Sequence, residues 1–263
     1  MSPIAVLTRP AGRNDALAEQ LAARQWTTVI LPALRIEPLA PDAATFPHPN
    51  AFDLIVFVSG QAARAYAEQW RACDPAGRWP ASSRVAAVGE ATAQAIAAAG
   101  LGLAQQEIVA PDPRGASRDS EALWPAIAAL QPAPRRVLIV RGEMGREWLA
   151  QRLRDSGAVV TIHAAYGRHA VIWTPANIAL LQGWADRGVA PTWLLTSREG
   201  IDAVVANLIR AGVLPWWRHC TCVVTHEKLA AYLRALPTGG AGAPVVKTCL
   251  PTDTAMFNAF VAT

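Results

Sequence analysis

The segment from Arg135 to Trp173 contains residue types suited to binding an anionic small molecule. A buried strand pattern runs directly into a loop with Arg141 and Arg146, a helix follows, and the next strand leads to Tyr166 and Arg168. A helix that begins just after a strand exposes backbone N–H groups, and guanidinium groups pair well with carboxylates and phosphates. The pattern therefore predicts a site for an acidic ligand.

Tyr166 is the aromatic hydroxyl of this segment, and it lies between the small residues Ala165 and Gly167. A tyrosine on an extended connector can project into a binding space and donate a hydrogen bond there. An interface tyrosine that makes one structural hydrogen bond fits the same pattern. The residues alone leave both interpretations open.

Small polar residues follow most of the other predicted strands. In open parallel sheets, ligands bind beyond the carboxyl ends of the strands, so these residues are expected to line a cleft rich in hydrogen-bond donors. Ser, Thr and Gly are also ordinary helix caps, and that alternative stays open at each position. With Tyr166 as the catalytic candidate, the substrate-binding candidates are Arg9, Ser59, Gly60, Gly89, Thr92, Arg141, Gly142, Arg146, Arg168, Thr196, Ser197 and Thr225.

Other chemical motifs are weaker. Cys220 and Cys222 lie in an apolar strand with His219 and His226 nearby, so a zinc site is conceivable, although ordinary packing explains the same residues. His163 is interpreted as a core histidine whose polar atoms are satisfied. The chain has no G-x-x-x-x-G-K-[ST] motif and no glycine-rich dinucleotide motif after a strand, which disfavours ATP or dinucleotide chemistry.

Composition indicates a folded protein with one large or two modest domains. The chain has 263 residues, of which 52% are hydrophobic and 17% charged, and this excludes a disordered chain. The net charge is +4, and the sequence contains no run of Lys and Arg residues. Both observations argue against nucleic-acid binding. We expect no signal peptide, membrane span or disulfide framework, and hence a cytoplasmic protein.

Short apolar runs alternate with amphipathic helical patterns almost from end to end. Near-continuous apolar strands are typical of parallel sheets covered on both faces, and the alternation predicts a doubly wound α/β fold with two sheets of about five strands. The expected strands are Ile4–Thr8, Thr27–Leu31, Asp53–Ser59, Arg84–Val88, Glu107–Ala110, Arg136–Val140, Ala158–His163, Trp193–Ser197, Cys220–Thr225 and Val245–Cys249.

Two extended segments, Pro32–Pro38 and Ala165–Trp173, are predicted to be connectors. Asp119 or Ser120 is expected to cap a helix. A weak internal repeat relates the strand beginning at Leu54 to the strand beginning at Trp193, since each ends in a small hydroxyl residue at a helix start. This repeat indicates two similar halves. Helices are expected to end before Gly100, Gly157 and Gly212.

Six motifs follow one another along nearly the full length. They are Val6–Pro10, Asp53–Ser59 with Ala62, Val85–Gly89 with Thr92 and Ala93, Val137–Gly142 with Gly145 and Arg146, Ala165–Arg168, and Leu194–Ser197. In their order and spacing, these motifs resemble those of the uroporphyrinogen-III synthase family. Two departures are Val58, where the family usually has Thr, and Gln61, where it usually has Asn; they affect one hydroxyl contact.

The resemblance implies two similar doubly wound parallel-sheet domains, joined by a two-stranded connector, with the active site in the cleft between them. It implies a discontinuous first domain of residues 1–34 plus 174–263 and a second domain of residues 38–164. Residues 35–37 and 165–173 would be the connector strands. Hydrophobic periodicity alone does not predict this division.

The activity implied by the resemblance is the conversion of hydroxymethylbilane to uroporphyrinogen III, with loss of water, ring closure and inversion of the last pyrrole. The family requires no metal or organic cofactor, and Tyr166 matches its tyrosine in position. We expect a monomer whose partner is this small polycarboxylate, without binding to nucleic acid or membrane. The alternative is a non-catalytic two-domain protein that closes on an anionic metabolite or tetrapyrrole.

Overall fold

The computed structural model describes residues 2–112, 120–236 and 244–262. The chain divides into two compact units. Unit 1 comprises Met1–Ile36 and His169–Thr263, and unit 2 comprises Glu37–Arg168. The chain thus passes from one unit to the other within both segments expected to be connectors, while the expected domain boundaries themselves stay a prediction.

The described elements alternate along the chain as an α/β fold requires. Two short 3-10 turns, Pro49–Ala51 and Gln105–Glu107, accompany them. The strands are β1 (Ile4–Leu7), β2 (Thr27–Ile30), β3 (Leu34–Pro38), β4 (Leu54–Phe57), β5 (Arg84–Ala87), β6 (Ile108–Val109), β7 (Arg136–Gly142), β8 (Val159–Ala170), β9 (Thr192–Leu195), β10 (Thr221–Val224) and β11 (Val245–Thr248). The helices are α1 (Asp15–Ala22), α2 (Gly60–Cys73), α3 (Glu90–Ala98), α4 (Ser120–Ala128), α5 (Trp148–Asp155), α6 (Pro175–Asp186), α7 (Arg198–Arg210), α8 (Leu214–Trp217), α9 (Glu227–Ala235) and α10 (Asp253–Val261).

Unit 1 contains a five-stranded parallel sheet in the order β11-β10-β9-β1-β2. Successive strand residues point to opposite faces, so the neighbours Trp193 and Leu194 lie in different cores. Trp193 packs in a cluster with Val204 of α7, and Leu194 packs in a cluster with Leu17 of α1 and Phe260 of α10. Helices therefore cover both faces of this sheet.

A six-stranded sheet has the order β3-β8-β7-β4-β5-β6, in which β8, β7, β4, β5 and β6 are parallel. Its strands β7, β4, β5 and β6 lie wholly in unit 2. Val56 belongs to a core with Leu123 of α4 and Leu153 of α5. The next residue, Phe57, points to the other face, where its ring lies 5.6 Å from the ring of Tyr66 on α2. This sheet is also covered on both sides.

The predicted fold class, α/β with parallel sheets, is confirmed, and most strands begin and end within about two residues of the expected positions. The largest differences concern β3 and β8. The segment expected to be a proline-bracketed connector forms β3, and β8 continues to Ala170 instead of ending at His163, so both take part in the six-stranded sheet. Prolines at the ends of a strand remove no central ladder bond, which is why β3 can pair.

Helix ends follow the expected glycine pattern. Gly100, Gly157 and Gly212 have φ values of +72°, +91° and +71°, the left-handed conformation that ends a helix at little cost for glycine. α4 begins at Ser120, whereas Asp119 lies outside the described residues. None of the described helices has the length and apolar composition that crossing a membrane requires.

Candidate active site

Three candidates meet around one hydroxyl group in unit 2. The hydroxyl of Tyr166 lies 3.3 Å from Oγ of Ser59, and Nη2 of Arg168 donates to it at 3.2 Å. The guanidinium carbon of Arg168 is also 5.6 Å from the centre of the tyrosine ring. Only 2% of Tyr166 is exposed, so its ring is fixed by packing. The cluster of Tyr166, Ser59 and Arg168 is called the tyrosine site below.

A β-bulge between β7 and β8 determines where Tyr166 lies. Arg141 pairs with Ala164, but the next residue, Gly142, pairs with Tyr166, which leaves Ala165 as the extra residue on β8. The N–H of Glu143 donates to the carbonyl of Tyr166 at 3.0 Å and anchors the strand after the bulge. Bulges of this kind change the direction of neighbouring side chains and are frequent beside active sites.

Gly142 allows the tyrosine ring to lie against β7. A Cβ atom at this position would lie 3.1 Å from two ring carbons of Tyr166 and 3.4 Å from its carbonyl oxygen. Those distances are shorter than ordinary carbon contacts, so a side chain at residue 142 would push the ring away. The predicted substrate-binding residue Gly142 therefore has a packing function beside the hydroxyl.

Helix α2 begins at the tyrosine site. Oγ of Ser59 accepts from the N–H of Ala62 at 3.1 Å, which makes Ser59 the N-cap of α2. The positive end of the helix dipole consequently lies beside the Tyr166 hydroxyl. A Cβ at Gly60 would lie 2.8 Å from Cβ of Ala95 on α3, so close packing of these helices explains this glycine.

Gly89 and Thr92 lie at the start of α3. The carbonyl of Gly89, the N-cap residue, accepts from the N–H groups of Thr92 and Ala93, each at 3.0 Å. Thr92 is buried, with 7% of its surface exposed. Since β5 is the parallel neighbour of β4, α3 begins at the same sheet edge as α2. Both candidates thus lie along the edge that contains Ser59.

Arg141 near the end of β7 and Arg146 in the following loop are paired with carboxylates. Nη2 of Arg141 lies 2.7 Å from Oε1 of Glu147, and Nη1 of Arg146 lies 2.9 Å from Oε1 of Glu121. The Arg141 side chain is only 13% exposed, and its buried Nε has no hydrogen-bond partner among the described residues. Surface ion pairs contribute about 0.2–1 kcal/mol, so a ligand carboxylate can replace Glu121 at little cost.

In unit 1, Arg9 is bound mainly by groups of its own unit, but its buried Nη2 has no hydrogen-bond partner among the described residues. Its Nη1 lies 2.7 Å from Oδ1 of Asp253, and its Nε donates to Oδ1 of the buried Asn14 at 3.4 Å. The neighbouring Thr8 hydroxyl donates to the carbonyl of Leu194 and links β1 to β9. These contacts hold the carboxyl end of β1 together by groups of the unit itself.

The other candidates of unit 1 lie after β9 and β10, which are parallel neighbours. Oγ of Ser197 accepts from the N–H of Gly200 at 3.0 Å and caps α7. Thr196 is half-buried and Thr225 is buried. Capping explains Ser197, and the ligand contacts of all three residues stay a prediction.

The alternative of a zinc site gains no support. Burial raises the pKa of the Cys220 thiol to about 12 and also raises that of Cys222, which disfavours the thiolate that zinc requires. Nδ1 of His226 accepts from the N–H of Lys228 as a helix cap. Among the residues that the structure describes, no group of three or more His, Cys, Asp and Glu side chains could hold a metal ion.

The sequence analysis missed Gln69 of α2, a buried amide with 3% of its surface exposed. Its Nε2 donates to the carbonyls of Leu39 at 2.7 Å and Ala165 at 3.1 Å, and its Oε1 lies 2.7 Å from Nε2 of His163. Helical spacing offered a signal: Gln69 lies three residues after the buried Tyr66, where an apolar residue is expected.

Comparisons with known proteins agree with this fold. Residues 15–245 match the family model described as uroporphyrinogen-III synthase HemD. The chain belongs to the uroporphyrinogen-III synthase family. The uroporphyrinogen-III synthase of Salmonella typhimurium is 30% identical over 238 residues, which cover 88% of this chain and 90% of the relative. The synthase of Escherichia coli is 27% identical over the same coverage.

Solved structures of the synthase family share the fold. A mutant uroporphyrinogen III synthase from Thermus thermophilus covers 98% of this chain and 97% of its own, with a TM-score of 0.59 and 16% identity. The Helicobacter pylori enzyme has a TM-score of 0.56 and 14% identity, with 98% and 97% coverage. Membership confirms the predicted enzyme class, a cyclising lyase of haem biosynthesis whose family substrate is hydroxymethylbilane. The alternative of a non-catalytic binding protein has no support.

Proposed function

We propose that this chain converts hydroxymethylbilane to uroporphyrinogen III and that Tyr166 assists the loss of the hydroxyl group. Family membership supports the reaction. The observation that carries the role of Tyr166 is its hydroxyl position, between Ser59 at the start of α2 and the guanidinium of Arg168.

The chemistry requires only a modest acid. The nitrogen of the substrate's pyrrole ring expels the hydroxyl and leaves an electrophilic azafulvene, so the protein has only to stabilise the departing oxygen by a hydrogen bond. Arg168 donates to the oxygen of Tyr166, and a hydroxyl that accepts from a cation becomes a better donor itself. Tyr166 then donates a hydrogen bond to the leaving oxygen as the C–O bond breaks. The pyrrole N–H loses its proton to give the neutral azafulvene, the departing hydroxide gains a proton, and the two changes together release one water.

The remaining candidates would bind the substrate's carboxylates. Arg141 would release Glu147, whose side chain is 58% exposed, and bind a carboxylate of the ligand instead. Arg146 would release Glu121, which is 41% exposed, in the same way. Backbone N–H groups at helix starts complement the arginines. The proposed binding set is Arg9, Ser59, Gly60, Gly89, Thr92, Arg141, Gly142, Arg146, Arg168, Thr196, Ser197 and Thr225.

Most of the selectivity would come from orientation. Hydroxymethylbilane cyclises without a catalyst to the isomer in which the last ring keeps its direction. Holding that ring so that its substituted carbon attacks the azafulvene favours inversion, because orientation lowers the barrier of the inverting path relative to that of the spontaneous path.

The proposal includes the organisation expected from the sequence. Residues 1–34 and 174–263 form the first domain, residues 38–164 form the second, and residues 35–37 and 165–173 connect them. We further propose a cytoplasmic monomer that requires no cofactor and binds neither nucleic acid nor membrane.

Isomer analysis tests the reaction. The protein is incubated with hydroxymethylbilane, the products are oxidised, and isomers I and III are separated by chromatography beside a sample without protein. We expect an excess of isomer III that grows with protein concentration. If isomer III does not exceed the protein-free sample, the proposed reaction is wrong, and tight substrate binding without product would favour a binding protein instead.

A further inference from the structure

We propose that Gln69 is a positioning residue that holds the Tyr166 hydroxyl beside the start of α2. It acts by binding Ala165, the extra residue of the bulge, together with His163 on the same strand. The inference rests on the proposed function of Tyr166 and adds residues that do not themselves contact the hydroxyl.

The buried amide of Gln69 has a partner for each of its polar atoms. Its NH2 group faces the carbonyls of Leu39 and Ala165, so its oxygen must be the atom that faces His163. Because that oxygen can only accept, Nε2 of His163 carries the hydrogen. The amide orientation and the histidine tautomer are thereby determined together.

Gln69 contacts the point where the register of β8 changes. A bulge leaves its extra residue outside the regular ladder, and the carbonyl of Ala165 accepts instead from Gln69 and from the N–H of Leu39, at 3.1 and 3.0 Å. A one-residue change of register turns side chains to the opposite face of a sheet. The two bonds to Ala165 therefore maintain the register that directs Tyr166 toward Ser59.

Unit 1 contains a matched amide without a tyrosine. Asn207 follows the N-cap Ser197 by ten residues, as Gln69 follows the N-cap Ser59, and it is also buried. Its Nδ2 donates to the carbonyl of Val171 at 2.8 Å, and its Oδ1 accepts from the N–H of Trp173 at 3.0 Å. Both amides hold backbone beside a helix, but only Gln69 binds the strand segment that carries Tyr166.

A double-mutant cycle separates positioning from plain stability. Gln69→Met keeps the side-chain length and removes the polar atoms, and we expect it to lower kcat about 10-fold under conditions where the protein is fully folded. In the Tyr166→Phe background the same change should lower kcat less than about 2-fold, because the hydroxyl it positions is gone. Asn207→Leu is the control, and its effect on kcat should be equal in both backgrounds.

Equal kcat effects of Gln69→Met in the two backgrounds would overturn the inference, as would unchanged kcat in the single variant. Should Gln69→Met fail to fold, Gln69→Asn keeps the amide but shortens its reach to Ala165. We expect the same dependence on Tyr166 for Gln69→Asn, and equal effects in both backgrounds would again refute the inference.

Amide hydrogen exchange gives a readout that does not depend on activity. The N–H of Glu143 donates to the carbonyl of Tyr166, so Gln69→Met should increase its exchange rate at least about 10-fold, whereas Asn207→Leu should not. Unchanged exchange would refute the positioning role. If the wild-type protein makes no isomer III while this exchange difference is observed, the proposed reaction fails and the structural coupling stands.

Discussion

Unit 1 and unit 2 each contain a parallel sheet covered by helices on both faces. The polar residues at the strand ends make different contacts in the two units. In unit 2 the hydroxyl of Tyr166 meets Ser59 and Arg168 at the start of α2. In unit 1, Arg9 is paired with Asp253, and the Thr8 hydroxyl is bonded to the sheet backbone. Among the described residues, the cluster around a tyrosine hydroxyl lies in unit 2, whereas the described contacts of Arg9 and Thr8 in unit 1 are to groups of that unit.

The difference depends on one extra residue. Both units have a serine N-cap after a central strand and a buried amide ten residues later. Among the described strands, the bulge at Ala165 of unit 2 brings an aromatic hydroxyl to the capping serine, and the described pairings of unit 1 show no such register shift. We infer that this local irregularity, more than the repeated frame, distinguishes the candidate site of unit 2. Paired variants in the two units test that conclusion.

The largest difference is expected for the tyrosine hydroxyls. Tyr166→Phe should lower kcat about 10- to 100-fold without unfolding the protein, because the donor to the leaving oxygen is lost. The hydroxyl of Tyr232 in unit 1 donates to Asp202, and Tyr232→Phe should leave kcat within about 2-fold of wild type. Steady-state kinetics with circular dichroism of both variants would measure this, and equal kcat for Tyr166→Phe and wild type would remove Tyr166 from catalysis.

The second comparison concerns two glycines whose added Cβ would approach a neighbour to 3.1 Å. In Gly142→Ala the neighbour is the packed ring of Tyr166, so we expect kcat to fall about 10-fold as the ring shifts. In Gly183→Ala the neighbour is the end of the flexible Arg187 side chain, and kcat should not change. A crystal structure of Gly142→Ala with Tyr166 unmoved would contradict this explanation.

The serine caps provide a smaller difference. Ser59→Ala and Ser197→Ala each remove an N-cap bond and should each lower the free energy of unfolding by about 1 kcal/mol. Of these two serines, Ser59 also contacts the Tyr166 hydroxyl. The kcat of Ser59→Ala should therefore fall about 3-fold further than the kcat of Ser197→Ala. Urea unfolding and initial rates measure the two effects, and equal rates would show that Ser59 serves the helix alone.

The smallest expected effect is a pH dependence of stability from His163. Burial lowers the pKa of this histidine below its ordinary value of about 6.5, so the unfolded chain binds a proton that the folded protein does not. Stability should therefore decrease as the pH falls below about 6.5. In unit 1, the matched amide of Asn207 bonds backbone groups and Arg210 instead of a histidine.

His163→Phe tests this dependence, because it keeps an aromatic ring beside Phe46 and Tyr66. Between about pH 7.5 and 5.5, the Tm of the wild-type protein should decrease more than that of the variant. The remaining histidines are common to both proteins and cancel in the comparison. Equal decreases in Tm would show that His163 does not contribute.

The amino-acid sequence alone was sufficient for the features that depend on neighbours along the chain. Apolar runs predicted parallel strands, and glycines predicted the helix ends. The strand-end residues Ser59 and Ser197 were expected as caps or ligand contacts, and both prove to be caps. Helix capping, local hydrogen bonding and side-chain periodicity involve residues a few positions apart, so the sequence alone is enough to predict them.

The tertiary structure decided the features that join distant residues. Arg9 and Asp253 pair across most of the chain, and Gln69 reaches Ala165 on another strand. The family resemblance implied connector strands at residues 35–37 and 165–173, but only the structure shows that β3 and β8 join the six-stranded sheet. The bulge exists only as a difference in register with β7. The partners of a strand and of a buried polar group are determined by which groups the packed core brings close together. A local sequence pattern therefore does not predict them.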